Sequence, residues 1–177
     1  KAGAGGMIAG EFVAKSAPDG YTFFFAANSP LLHAPIIYRR PAYQWDRDFA
    51  PVSSVSFTPI VLLVHPSVPV KSVRELLDRA IKEPGKFAMS TPSAGTTNHL
   101  LSELLQSLTG TSWLTVHYKG NAPATTAMLG GEVQLSFDQV SVSLPFIKQG
   151  RVRALAVTTE SRVASLPDVP TFAEAGV

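Results

Sequence analysis

Apolar and polar positions along this chain follow two periods, and the switches between them mark out its elements. Residues 7–16 have helical spacing and stop before Pro18-Asp19-Gly20, a turn. Tyr21-Thr22-Phe23-Phe24-Phe25-Ala26 is an apolar run that predicts a strand covered on both faces. Residues 28–48 mix prolines and aromatics without a clear period and read as loop with a short helix. A strong strand follows over 57–64, cut by Pro59. Ser72-Val73-Arg74-Glu75 has capping-box spacing and opens a helix over 73–81, which Pro84-Gly85 ends. Residues 87–89 read as a strand and 98–108 as a helix with Leu100, Leu101, Leu104, Leu105 and Leu108 on its stripe, stopped at Gly110.

The second half repeats the scheme. Residues 113–118 predict a strand, and Lys119-Gly120-Asn121-Ala122-Pro123 leads into a helix that ends at Gly130-Gly131. Residues 133–137 predict a strand ending at Asp138, 140–149 a helix stopped by Gly150, and 154–158 a last strand. Thr171-Phe172-Ala173-Glu174-Ala175 reads as a short helix reaching its stop at Gly176. Such alternation predicts an α/β fold with mostly parallel sheets flanked by helices. Ligands of these sheets bind beyond the carboxyl ends of the strands. Asn28-Ser29, the 90–99 loop and Asp138 fall at such ends.

Composition narrows the partners. Of 177 residues, 45% are hydrophobic and 16% charged, so a sizeable core is available and disorder is disfavoured. The net charge of +2 is scattered, which argues against nucleic acid as a partner. No apolar run approaches the roughly 20 residues of a membrane helix. Cysteine is absent, which removes disulfides, thiol catalysis and thiolate metal sites together. His33, His65 and His117 lack metal-ligand spacing, and no metal or cofactor is predicted. Gly3-Ala4-Gly5-Gly6 has neither the preceding strand nor the spacing of a dinucleotide fingerprint. The chain opens on Lys1 and stops at Val177, and both ends read as cut from something longer.

The loop Ser90-Thr91-Pro92-Ser93-Ala94-Gly95-Thr96-Thr97-Asn98-His99 carries the most chemistry. It joins a strand to a helix with small hydroxyl residues and one glycine. Backbone N–H groups at such a helix start attract an anion, and the hydroxyls add neutral donors. Ser and Thr there also serve as ordinary helix caps, and the loop alone is compatible with both roles. Asn28 and Ser29 either satisfy a turn or contribute to a site. Asp138 either caps the helix from Val140 or faces a ligand that bears a donor. His99, one turn into its helix, reads as a packed or hydrogen-bonded structural residue.

Several further strings occur in a telling order: Ala17-Pro18-Asp19-Gly20-Tyr21-Thr22, Asp48-Phe49-Ala50-Pro51-Val52, Tyr118-Lys119-Gly120, and Leu129-Gly130-Gly131-Glu132-Val133 with Phe137-Asp138. Arg153-Ala154-Leu155-Ala156-Val157-Thr158 and Leu166-Pro167-Asp168-Val169-Pro170-Thr171 with Glu174-Ala175-Gly176 complete the set. Together they resemble the Bug-type extracytoplasmic solute receptors of tripartite tricarboxylate transport systems, over essentially the whole chain. The resemblance implies a two-lobed periplasmic-binding-protein-like fold that closes on a small carboxylate. Residues 1–57 would belong to a first lobe, incomplete in this chain, 58–157 to a near-complete second lobe, and 158–177 to a return toward the first. Asn28 and Ser29 match the family's polar pair, and Asp138 its aspartate after phenylalanine. The loop keeps Ala94, Gly95, Thr96 and His99 of the family pattern, while Pro92, Ser93 and Thr97 depart from it.

The predicted ligand-binding residues are therefore Asn28, Ser29, Ser93, Ala94, Gly95, Thr96, Thr97 and Asp138. The implied partners are a small-molecule carboxylate and the membrane subunits of the transporter, on the periplasmic side. Exposed sheet edges of the incomplete lobe would favour association with other copies. An enzyme is the rival class, because Ser93, His99 and Asp138 nominally supply a nucleophile, base and acid. The strained Gly-x-Ser-x-Gly elbow is absent, which disfavours a hydrolase. An effector-sensing domain of a regulator is a second rival, disfavoured by the lack of a helix-turn-helix.

Overall fold

The computed structural model describes residues 4–37 and 42–177, and its centre is one five-stranded sheet. The strands are β1 (Ile60–Val64), β2 (Ala88–Thr91), β3 (Leu114–His117), β4 (Leu135–Gln139) and β5 (Arg153–Val157), in the spatial order β3-β2-β4-β1-β5. β2 lies parallel to both β3 and β4, whereas β1 is antiparallel to its neighbours β4 and β5. All strands but β1 run one way, so the α/β expectation holds in strand direction. The reversed β1 makes the pairing mixed.

Side-chain alternation then builds two cores. Leu62, Val64, Met89, Leu135, Phe137 and Leu155 face one side. There they meet Leu76 and Ala80 of α4 (Val73–Lys82) and Leu105 of α5 (Thr97–Thr109). Val61, Leu63 and Val157 face the other side, against Ala127 and Met128 of α6 (Asn121–Leu129) and Val140 of α7 (Val140–Lys148). Both sides of β1 are thus covered, which explains its unbroken apolar run.

Helix ends follow the predicted chemistry with small shifts. Ser72 Oγ accepts the Glu75 N–H at 3.2 Å, while the Glu75 carboxylate reaches back to the Lys71 N–H at 2.7 Å instead of that of Ser72. α5 ends on Gly110, whose φ of +67° is the left-handed conformation that glycine adopts without a Cβ clash.

Two expectations are corrected. Residues 21–26 form no strand, and Tyr21, Phe23 and Phe25 are 90%, 69% and 80% exposed. An apolar run becomes a strand only where another strand lies beside it, and among the described residues none does. Thr171–Gly176 is a series of turns rather than a helix, anchored by a bridge from Thr171 to Val157 and by the ion pair of Glu174 with Arg162. The segment after β5 lies against the sheet, with Leu166 in the α6–α7 core and Phe172 6.0 Å from the Phe137 ring.

The leading part of the chain is a smaller cluster. It comprises α1 (Met7–Ala14), a π-helical turn (Ser29–His33), α2 (Ala34–Ile37) and α3 (Trp45–Asp48). Tyr43 is buried at its centre, donates its hydroxyl to the Pro30 carbonyl at 2.5 Å, and meets Phe49 edge-on. Gly10 of α1 lies under the Tyr43 ring, where a Cβ would come within 2.5 Å of it.

Candidate functional site

β2 delivers the hydroxyl-rich loop to the carboxyl edge of the sheet. Two backbone bonds strap that loop to the start of α6: Tyr118 N–H to the Thr91 carbonyl and Gly120 N–H to the Pro92 carbonyl, both at 2.9 Å. The Thr91 hydroxyl pairs with His117 Nδ1 at 2.7 Å. Gly95 turns the chain with φ +74°. Thr96 then caps α5, which begins one residue earlier than predicted. Its hydroxyl donates to the Ser93 carbonyl at 2.8 Å and accepts the His99 N–H at 3.4 Å.

His99 has the structural role expected of it. Its Nδ1 accepts the Gly95 N–H at 3.1 Å, its Nε2 lies 3.6 Å from Glu103, and its ring meets that of His117 edge-on with centroids 4.8 Å apart. Burial, and then the neighbouring His117, hold its pKa below the usual histidine value against the opposing pull of Glu103. Neither ring nitrogen serves Ser93, so the nominal Ser93–His99–Asp138 triad is not assembled.

The loop thus spends three of its predicted donors on itself: the Gly95 N–H, the Thr96 hydroxyl and the Thr96 N–H, which reaches the Ser93 carbonyl at 3.5 Å. The N–H groups of Ser93, Ala94, Thr97 and Asn98 and the hydroxyls of Ser93 and Thr97 keep no partner among the described residues. Helix starts leave such groups free, and they carry partial positive charge.

Asp138 stands near the end of β4 on the α6–α7 face and is 5% exposed. Its carboxylate accepts the Gln139 N–H at 2.7 Å and the Thr125 hydroxyl at 3.3 Å. Burial pushes its pKa up, against the pull of Gln139 N–H, Ser143 and Thr125. It shares a shallow depression with Pro92, Asn98, Asn121 and Thr125. Asn98 is fixed there by its side-chain amide, which donates to the Phe137 carbonyl at 2.5 Å. The depression has room for about one water molecule.

The leading cluster touches the loop elsewhere. Gly5 lies beside the Ala94 carbonyl, and the Ile37 side chain lies against Gly95, where a Cβ would meet Cδ1 at 2.9 Å. Asn28 is exposed and Ser29 is 7% exposed, and among the described residues neither hydrogen-bonds to residues 93–97. Asn121 and Thr125 were missed by sequence reasoning, and Asn98, inside the 90–99 loop, was not among the named ligand-binding residues. Asn121 directly follows the Tyr118-Lys119-Gly120 motif, which was the available signal. Thr125 had none, since a threonine inside a helix has no distinctive pattern.

Helices on both faces of a mixed sheet, with open donors beyond the strand ends, define the α/β class that binds small ligands at its sheet edge. The chain belongs to the tripartite tricarboxylate transporter family receptors, a family that it matches over residues 1–177. Protein BugT of Bordetella pertussis is 37% identical over 177 residues, covering 99% of this chain and 54% of that protein. A solved structure of R. palustris Rpa4515 with adipate superposes with a TM-score of 0.96 at 37% identity, covering 100% of this chain and 59% of that one. MatC (Rpa3494) from Rhodopseudomonas palustris with bound malate gives 0.91 at 30% identity, covering 98% and 59%. The chain spans about half the length of the curated relatives it matches.

Proposed function

We propose that this chain serves in a periplasmic solute receptor. It captures a small organic anion (a carboxylate, dicarboxylate or amino acid) between two lobes and delivers it, chemically unchanged, to the membrane subunits of a tripartite tricarboxylate-type transporter. The carrying observation is the start of α5, where four N–H groups and two hydroxyls lie open beside a depression that also holds Asp138. Hydrogen bonds to a charged group contribute roughly 1.5–3 kcal/mol each, so two or three hold a carboxylate firmly. Ser93, Ala94 and Thr97 supply donors, and Gly95 and Thr96 shape the turn. Asn28 and Ser29 approach from the first lobe, residues 1–57. Residues 58–157 make the second lobe and 158–177 the return. The ligands of two relatives, adipate and malate, support a carboxylate as the cargo. The exposure of Tyr21, Phe23 and Phe25 supports self-association of this chain when it is isolated.

Asp138, an acceptor beside the donors, favours ligands that carry a hydroxyl or ammonium. Calorimetry with adipate, malate and an amino acid tests both ideas. One-to-one binding of at least one, with the ligand recovered intact by NMR, is expected, and Asp138→Asn should narrow or reverse the preference for malate over adipate. Binding of none, or turnover of any, would refute the receptor role. Equal destabilisation by Asp138→Asn with and without ligand would confine Asp138 to the fold.

A further inference from the structure

Period-two alternation along β4 sends Leu135 and Phe137 into the α4–α5 core and places Ser136 and Asp138 on the opposite face. Beneath that face lies a second recess, lined by Thr125, Ser136, Asp138 and Ser143 among apolar neighbours that include Met128 and Phe146. Ser143 of α7 is 1% exposed, and its hydroxyl has no direct hydrogen-bond partner among the described residues. Among the described residues the Ser136 hydroxyl makes only a long 3.3 Å bond, to the adjacent Phe137 carbonyl. Buried hydroxyls are almost always satisfied by protein or by ordered water, because leaving one bare is costly. The recess has room for about one water molecule, and its polar lining supplies the two to four partners that a buried water needs.

We propose that Ser143, acting through one buried water in this recess, is a positioning residue that fixes the Asp138 carboxyl from behind the ligand site. The proposal rests on the receptor function only in its consequence for the ligand, since the hydrogen-bond shell exists without one. No charged side chain contributes to the ionisation of Asp138 among the described residues. The groups that face it are Thr125 of α6, Ser143 of α7 and the Gln139 N–H. With no cation nearby, the balance between charged and protonated carboxyl depends on neutral donors. Ser143 faces the carboxyl yet makes no direct bond to it among the described residues, and one water would complete the connection.

The test is carboxyl-detected NMR titration of Asp138 in the intact chain and in Ser143→Ala. Alanine removes one oxygen and suits a helix, so thermal unfolding should confirm that the variant folds. Losing a donor to the charged form should raise the Asp138 midpoint by about half a pH unit or more. An unchanged midpoint would overturn the proposal. A crystal structure adds a second readout: a water within hydrogen-bond distance of both Ser143 Oγ and Asp138 is expected. Ser143 bonded directly to the carboxylate with the recess dry would overturn the relay. Failure to bind adipate or malate would count against the receptor function and leave both of these readouts intact.

Discussion

Gly95→Ala perturbs the candidate loop at the residue that sets its shape. A left-handed conformation such as the φ of +74° at Gly95 costs an L-residue about 1–2 kcal/mol. Alanine also restricts the unfolded chain, which offsets about 0.4–1 kcal/mol of that. The new Cβ would stand 2.9 Å from Ile37 Cδ1, the far end of a flexible side chain that can swing aside, so this contact adds little. The net expectation is a loss of roughly 1 kcal/mol. Gly110 provides the control, because its φ is +67° and nothing lies within 4 Å of its would-be Cβ. Gly110→Ala should therefore lower the urea midpoint by a similar amount. Binding should separate the two variants. Only Gly95 sits between the open N–H groups, so only its replacement should weaken the calorimetric affinity for adipate or malate. A Gly95→Ala chain as stable as the parent would refute the backbone account. Equal loss of affinity in both variants would refute the loop as the anion grip.

Two more expectations follow from named contacts. Gly10→Ala would ordinarily favour a helix by about 1 kcal/mol, but here the Cβ would meet the buried Tyr43 ring at 2.5 Å. Overpacking at about 1–3 kcal/mol should win, and a raised thermal midpoint would contradict it. His99 is held below its unfolded pKa, so the unfolded chain binds more protons. Its contribution to stability is full above the ordinary value of 6.5 and falls as pH drops through 6.5 toward the folded pKa. Urea unfolding across that window should show a slope that His99→Gln flattens, and an unchanged slope would refute the role of His99.

The chain from β1 onward was legible because its helices and strands start and stop at explicit signals. Ser72 with Glu75, Gly110 and Gly150 all lie at or within a residue or two of the ends that they predicted. The reversal of β1 was not legible, since alternation of strand and helix says nothing of which strand a given one will pair with. Residues 21–26 misled for a related reason: an apolar run records the need for burial, not the presence of a neighbour. Of the candidate site, hydroxyl content marked the loop and Asp138 was visible at a strand end. What the side chains bind was not visible. His99, Thr96 and Asn98 are partners of residues 4, 3 and 39 positions away, respectively, and the last of these depends on sheet order.

Capping and ligand binding, which the sequence offered as alternatives for the loop, are complementary in this geometry. A cap satisfies only some of the N–H groups that open a helix, and here Thr96 and His99 are the residues that do it. By holding Ser93, Gly95 and the first turn in register, those bonds fix the direction of the groups they leave free. A ligand that meets donors already ordered does not have to order them, and so keeps more of its contact energy as affinity. Asp138 then gives the depression a sense of direction. With N–H donors at one end and a buried carboxyl at the other, a second carboxylate on the ligand would meet like charge unless one of the two carries a proton. The geometry therefore favours a molecule with an anionic group at one end and a donor at the other. A plain dicarboxylate should bind this chain better as pH falls, whereas a hydroxy acid or amino acid should not need the extra proton.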